Sequence, residues 1–138
     1  MKRETWITLY NISHSRDGES SVYNRTAFFV HLEDLRGSSD NKTSDESLNA
    51  YDLFIPFSVE KESGKTYLEH EVYERQEDKT KFFTFHKGDI VVKGNLEEEI
   101  ESEKDFILAH PDAVHISKHE TNGFGSVSMR HWEVHCGN

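Results

Sequence analysis

Residues 82–95, FFTFHKGDIVVKGN, hold the densest apolar content of the chain, and their reading decides the fold. Phe83 and Phe85 alternate with Thr84 and His86, the period of two that lays one face of a strand on a core. Lys87, Gly88 and Asp89 follow as turn formers: glycine has no Cβ to clash, and an aspartate carboxylate bonds nearby backbone N–H groups. Ile90, Val91 and Val92 run unbroken, which predicts a strand covered on both faces, and Gly94 and Asn95 end it. The stretch reads as two buried strands joined by a tight polar turn at the centre of the core.

Outward from this centre the strand signals continue. Upstream, residues 51–59, YDLFIPFSV, form a strong strand in which Pro56, having no N–H for the ladder, belongs at an edge, a bulge or a strand end. Residues 4–12 alternate Trp6, Thr8 and Tyr10 with Thr5, Ile7 and Leu9, and residues 22–32 set Phe28 and Phe29 on opposite faces. Between the third strand and the centre, residues 60–65 read as a turn, 66–68 as a short strand and the charged 69–81 as a helical turn or loop.

Downstream, Ser102 with Asp105 three residues on has the form of a helix N-cap with an acidic first turn. A short helix over residues 103–110 then turns Phe106 and Ile107 to the core, and Pro111 stops it. Residues 113–119, with Val114 and Ile116 assigned to opposite faces, and residues 128–135, with Met129, Trp132 and Val134, are the last strands. The glycines flanking Phe124 make the connection between them a hairpin. Short strands, turn-rich spacers and almost no helix predict a mainly β fold, a small antiparallel β-barrel or sandwich with one short helix. Hairpin and Greek-key strand orders share these local signals.

At 138 residues the chain is one domain, residues 1–138, and its nine Phe and five Tyr in a hydrophobic fraction of 34% favour sheets. Lys and Arg number 16 against 26 Asp and Glu, and the formal charge of -10 opposes nucleic-acid binding by phosphate neutralisation. No run approaches the ~18 apolar residues of a membrane span, and the N-terminal stretch lacks the apolar run of a signal peptide, so a soluble protein with no membrane partner is expected. The lone Cys136 precludes an internal disulfide and fits a reducing compartment. Residues 33–50 are almost wholly polar and bury too little to offset their ordering entropy. They read as a long polar loop insertion, either solvated or ordered on assembly against a partner.

Histidine is the most suggestive chemistry, because His110, His115, His119, His131 and His135 fall in the last part of the chain. On strands, His115 and His119 share a face, as do His131, Glu133 and His135, a geometry open to an N/O metal site. HWEVH is not the HExxH order and reads as strand, so hydrogen-bonded surface histidines are the preferred reading; were zinc to bind, His135 and Cys136 are the first ligands to suspect. The carboxylates of residues 97–105 form a charge run, which reads as a solvated acidic face. There is no GxSxG, GxGxxG or GxxxxGK[ST], and Trp6 and Trp132 read as core. No residue is nominated as catalytic, cofactor-binding or metal-ligating, no cofactor is expected, and nothing demands an enzyme.

Taken together, YDLFIPFSV, FFTFHKGDIVVKGN, AVHISKH and NGFGSVSMRHWEVH resemble small virion proteins of tailed bacteriophages of Gram-positive hosts, the head–tail connector and head-closure (stopper) components of the neck. The resemblance rests on Lys87, Gly88 and Asp89 before the apolar strand, on Gly94 after it, and on His131 and Trp132 after a glycine-containing hairpin; it spans about the C-terminal two thirds. It implies an SH3-like barrel and a structural role without turnover. It also implies a homo-oligomeric ring at the head–tail junction of the virion, made in the host cytoplasm, with portal-side and tail-side neck proteins as neighbours and DNA passing through without specific binding. The ending departs from the pattern, with His135 and Cys136 where a smaller, glycine-richer tail belongs. Two alternatives stand beside it: a small acidic binding or inhibitory protein made during infection, and, third, a His-based metal enzyme.

Overall fold

The computed structural model describes residues 2–15, 18, 20–35, 49–126 and 129–138. A long hairpin of β1 (Thr5–His14) and β2 (Ser21–Asp34) runs in unbroken register from Thr5 opposite Val30 to His14 opposite Ser21. β3 (Ala50–Pro56) continues the wall, with His31 opposite Phe54. The chain then leaves the wall through α1 (Val59–Ser63), β4 (Thr66–Tyr67), α2 (His70–Glu74), a 3₁₀ turn at Lys79–Lys81 and β5 (Phe82–Phe83). It returns as β6 (Ile90–Lys93), crosses outside in α3 (Glu103–Ala109), and finishes the wall with β7 (Val114–Asn122) and β8 (His131–Gly137).

The wall closes on itself in the order β1-β2-β3-β8-β7-β6, every neighbouring pair antiparallel, with Leu9 of β1 opposite Val91 of β6 at the seam. The fold is therefore mainly β, and of barrel and sandwich it is the barrel. Alternation along the strands does the sorting. Ile7 and Leu9, Phe28 and Val30, Leu53 and Ile55, and Trp132 and Val134 all point inward and are almost fully buried. The excursion between β3 and β6 adds Val59, Phe83 and Phe85 to this core, and Tyr67 packs on it with its ring 4.9 Å from that of Trp132. Each such side chain taken from water contributes about 1.5–3 kcal/mol before entropy is counted.

Residues 82–95 are the centre of this core, but not as a hairpin. β5 pairs in parallel with β4 in a separate two-stranded sheet, while β6 lies between β1 and β7. The cause is a buried polar bridge. Asn11 Nδ2 donates to Thr84 O (2.7 Å) and to Asp89 Oδ2 (2.8 Å), Ile12 N donates to Asp89 Oδ1 (3.1 Å), and Thr84 N donates to Asn11 Oδ1 (3.2 Å). Residues 84–89 are thus tied to β1 and cannot fold back on β5. The Asp89 carboxylate bonds a strand 77 residues away as well as the His86 backbone of its own turn.

The two-sided reading of β6 holds. Val91 faces the barrel interior, while Ile90 and Val92 face outward into a second cluster with Tyr10, Ile100, Phe106 and Ala113. A strap over residues 94–102 and α3 cover that cluster. Gly94 makes the turn into the strap at φ +105°, a conformation that favours glycine. The strap is then pinned by Thr8 Oγ1 donating to Gly94 O (2.6 Å), Arg25 Nη1 to Leu96 O (2.8 Å) and Tyr10 Oη to Glu98 O (2.7 Å). Ser102 Oγ caps α3 by accepting from Asp105 N at 3.3 Å, and Phe106 meets Tyr10 edge-on at 5.1 Å.

Smaller expectations divide. Pro56 ends β3, as a residue without an N–H should. Residues 60–65 lie largely in α1, because Gly64 at φ +73° is a helix C-cap and not a free turn. Val114 and Ile116, two residues apart, share the interior face. Trp132 is core, whereas Trp6 is 45% exposed and leans on Phe29 with ring centroids 5.4 Å apart. Of the loop predicted over residues 33–50, residues 36–48 lie outside the described residues, as do 127 of the predicted hairpin connection and 128 of the last predicted strand. No helix among the described residues is long and apolar enough to cross a membrane.

Candidate functional site

β7 pairs with β6 only at Val114 and His115, yet it pairs with β8 as far as Asn122 opposite His131. Beyond Ile116, β7 and β8 form an arm that has β3 beside β8 and, among the described residues, no strand beside β7. A β-bulge interrupts the β7–β8 register between Ile116 and Lys118, and Ser117 Oγ donates to His135 O at 2.9 Å. One extra residue reverses which side chains face in and out.

The reversal corrects the histidine reading. His115 stands on the outer face, but His119 turns inward, its ring 5.8 Å from that of Phe85 and its Nε2 3.4 Å from Tyr67 Oη. Burial lowers its pKa. His115 and His119 therefore do not share a face, because the sequence spacing carries no mark of the bulge. His131, Glu133 and His135 do share the outer face. His131 Nδ1 donates to Met129 O (2.9 Å), and His110 pairs through Nε2 with Glu98 Oε2 (2.6 Å), tying the end of α3 to the strap.

Around His135 a cluster forms from three strands. Its Nδ1 lies 2.6 Å from Asp52 Oδ1 of β3, and its Nε2 lies 3.8 Å from Glu120 Oε1 of β7. Glu120 and Glu133 are directly opposite each other across β7 and β8. One ligand atom from each of Glu120, Glu133 and His135 falls within 4.8 Å of the others. Cys136 takes no part: it faces the core, and burial first, with the Asp52 carboxylate second, pushes its thiol up to about 12. Adjacent residues of a strand point to opposite faces, so His135 and Cys136 cannot hold one ion together. Asp52 and Glu120 escaped the sequence reading because they stand 68 positions apart and no motif joins them.

Residues 2–137 match a family described as Family of unknown function (DUF6751). The chain belongs to the DUF6751 family. No curated protein and no solved structure matches it. The functional reading of this DUF6751 member therefore rests on its own geometry.

The arm ends in an apolar tip. Phe124 is 87% exposed and Met129 64% exposed, and Gly125 beside them takes φ +90°, where an added Cβ would lie 3.5 Å from Met129 Cβ. The carboxylate run reads as expected, with Glu97, Glu98, Glu99, Glu101 and Glu103 exposed, although its Ile100 is buried as part of the strap. A separate cleft of about 660 Å³ opens beside β2, lined in part by Asn24, Arg25, Lys65 and Tyr73. Its lysine Lys65 is already engaged. Lys65 Nζ donates to Asn24 Oδ1 (3.0 Å), Arg25 O (2.7 Å) and Thr26 Oγ1 (2.8 Å), which uses all three of its donors, and burial lowers its pKa to about 8. Lys65 in the DUF6751 chain is a structural tie between the excursion and β2.

Proposed function

We propose that this chain is a structural virion protein of a tailed phage, a head–tail connector or head-closure component that assembles as a homo-oligomeric ring at the neck. The observation that carries the reading is the apolar tip of the arm, Phe124 and Met129 exposed on a chain of formal charge -10. Large apolar side chains grouped on an acidic surface favour a protein partner over solvent. In this reading each arm docks on the neighbouring subunit, a head-to-tail contact that closes when the rotation between subunits is a whole fraction of a turn. Portal-side and tail-side neck proteins seat on the two faces of the ring. The exposed glutamates of the strap line the channel, where like charge keeps DNA sliding without adhesion. The protein is made in the host cytoplasm and works by binding, without turnover.

The test is an antiserum blot of purified particles and of particle-free lysate from the phage that encodes the chain, calibrated against the major capsid protein. The reading expects a small fixed number of copies per particle, and expects Phe124→Ser with Met129→Ser to fold normally yet drop out of particles. Recovery only in the soluble fraction overturns it. That outcome favours a small acidic protein that masks a basic partner during infection, the reading to which the charge of -10 also lends itself.

A further inference from the structure

We propose that Glu120, Glu133 and His135 form a divalent metal site of zinc type that ties β7 to β8 within the arm. His135 Nε2 and one carboxylate oxygen each from Glu120 and Glu133 supply the ligands, and water completes the shell. The donor set, one imidazole nitrogen and carboxylate oxygens, suits zinc.

Three observations converge on it. First, the ligand atoms already gather within 4.8 Å of one another, with His135 Nε2 to Glu120 Oε1 at 3.8 Å. Zinc bonds of about 2.0–2.2 Å at tetrahedral angles put ligands about 3.3–3.5 Å apart. The remaining closure is about an ångström, within the rotamer freedom of two glutamates on a surface. Second, Asp52 occupies the other ring nitrogen of His135 at 2.6 Å. A carboxylate that accepts from Nδ1–H fixes the tautomer that leaves Nε2 as a lone-pair donor, the arrangement found behind metal-bound histidines. Third, Glu120 and Glu133 are a directly opposed like-charge pair, which a sheet tolerates poorly unless a cation lies between them.

Position gives the site its consequence. Beyond Ile116, β7 has β8 as its one strand neighbour among the described residues, so a metal shared by Glu120 of β7 and by Glu133 and His135 of β8 adds a cross-strand tie where the ladder is single. The site stands on this geometry whether or not the chain belongs to a phage neck.

The experiment is calorimetric titration of tag-free, chelator-treated protein with zinc sulfate, paired with amide hydrogen exchange. One ion per chain is expected, with slowed exchange over residues 117–122. Glu120→Gln and Glu133→Gln each weaken binding by about tenfold or more, and His135→Gln abolishes the stoichiometric step. Asp52→Asn, which touches no ion, weakens it by about 10–100-fold. All four side chains lie on the outer face, so unchanged melting in chelator shows that each variant folds. Zinc uptake unaffected by Glu120→Gln and Glu133→Gln, as scattered binding by the other histidines gives, overturns the proposal. So does the absence of a stoichiometric step in the unaltered protein.

Discussion

Asp89 shows how one residue sets both topology and pH response. Burial raises its carboxyl from the ordinary 3.8 to about 7, against the opposing pull of bonds from Ile12 N and Asn11. The folded chain therefore holds a proton up to about pH 7 that the unfolded chain releases near 3.8. The stability this residue contributes is present below the lower value and lost as pH rises through the higher one. His86 and His119 act with the opposite sign, since burial lowers both and their contribution is lost on acidification. Comparing the protein with Asp89→Ala in urea melts at about pH 5 and about pH 8 isolates the carboxyl. The variant is less stable by about 2 kcal/mol, since Ile12 N–H and Asn11 Nδ2 lose an acceptor, and the deficit is larger at the lower pH. Cys136 gives a second check. A thiol at about 12 in place of 9 has about a thousandfold less thiolate at neutral pH, so labelling by an aromatic disulfide is slow in the folded protein and immediate in denaturant. Residue type alone showed Asp89 as a turn former and Cys136 as a terminal thiol. The turn at Lys87 and Gly88 forms as read, but burial ties Asp89 to β1 as well and takes Cys136 into the core, and burial is set by partners far away in the chain.

Elements were legible where period and caps agree. β1, β2, β3 and α3 follow their alternation and their Ser102 cap to within a few residues. Ser102→Ala removes the acceptor for Asp105 N and lowers stability by about 1 kcal/mol, measurable as a shift in the urea midpoint. What periodicity missed are the places where a single residue changes the bookkeeping: the bulge at Ser117, the αL glycine at Gly64, and the bridge that sends residues 84–89 to β1. Each depends on a long-range partner or a backbone conformation that several residue types allow. The arm is the element most open to experiment. Phe124→Ser with Met129→Ser leaves the melting temperature within about a degree or two, since exposed side chains add little to the fold, while it removes the apolar tip. A large drop in melting temperature would show that the tip packs on the barrel instead.

For the whole molecule, composition and strand count led to a small antiparallel barrel or sandwich, but closure did not follow from them, nor did the strand order. Closure depends on β6 returning to β1, and this is a pairing across more than eighty residues. The candidate site was half legible: Glu133 and His135 stood together on one strand, while Asp52 and Glu120 joined them only through that order. The same order bears on biosynthesis. β8, which follows every other stave of the wall in the chain, is not a flap laid on a finished barrel but a stave between β3 and β7. A nascent chain that has not reached Gly137 exposes two bare strand edges and the inner face of Trp132's neighbours. Chains without β8 are then sticky and prone to clearance, and only copies read through to that strand close the wall and form the arm.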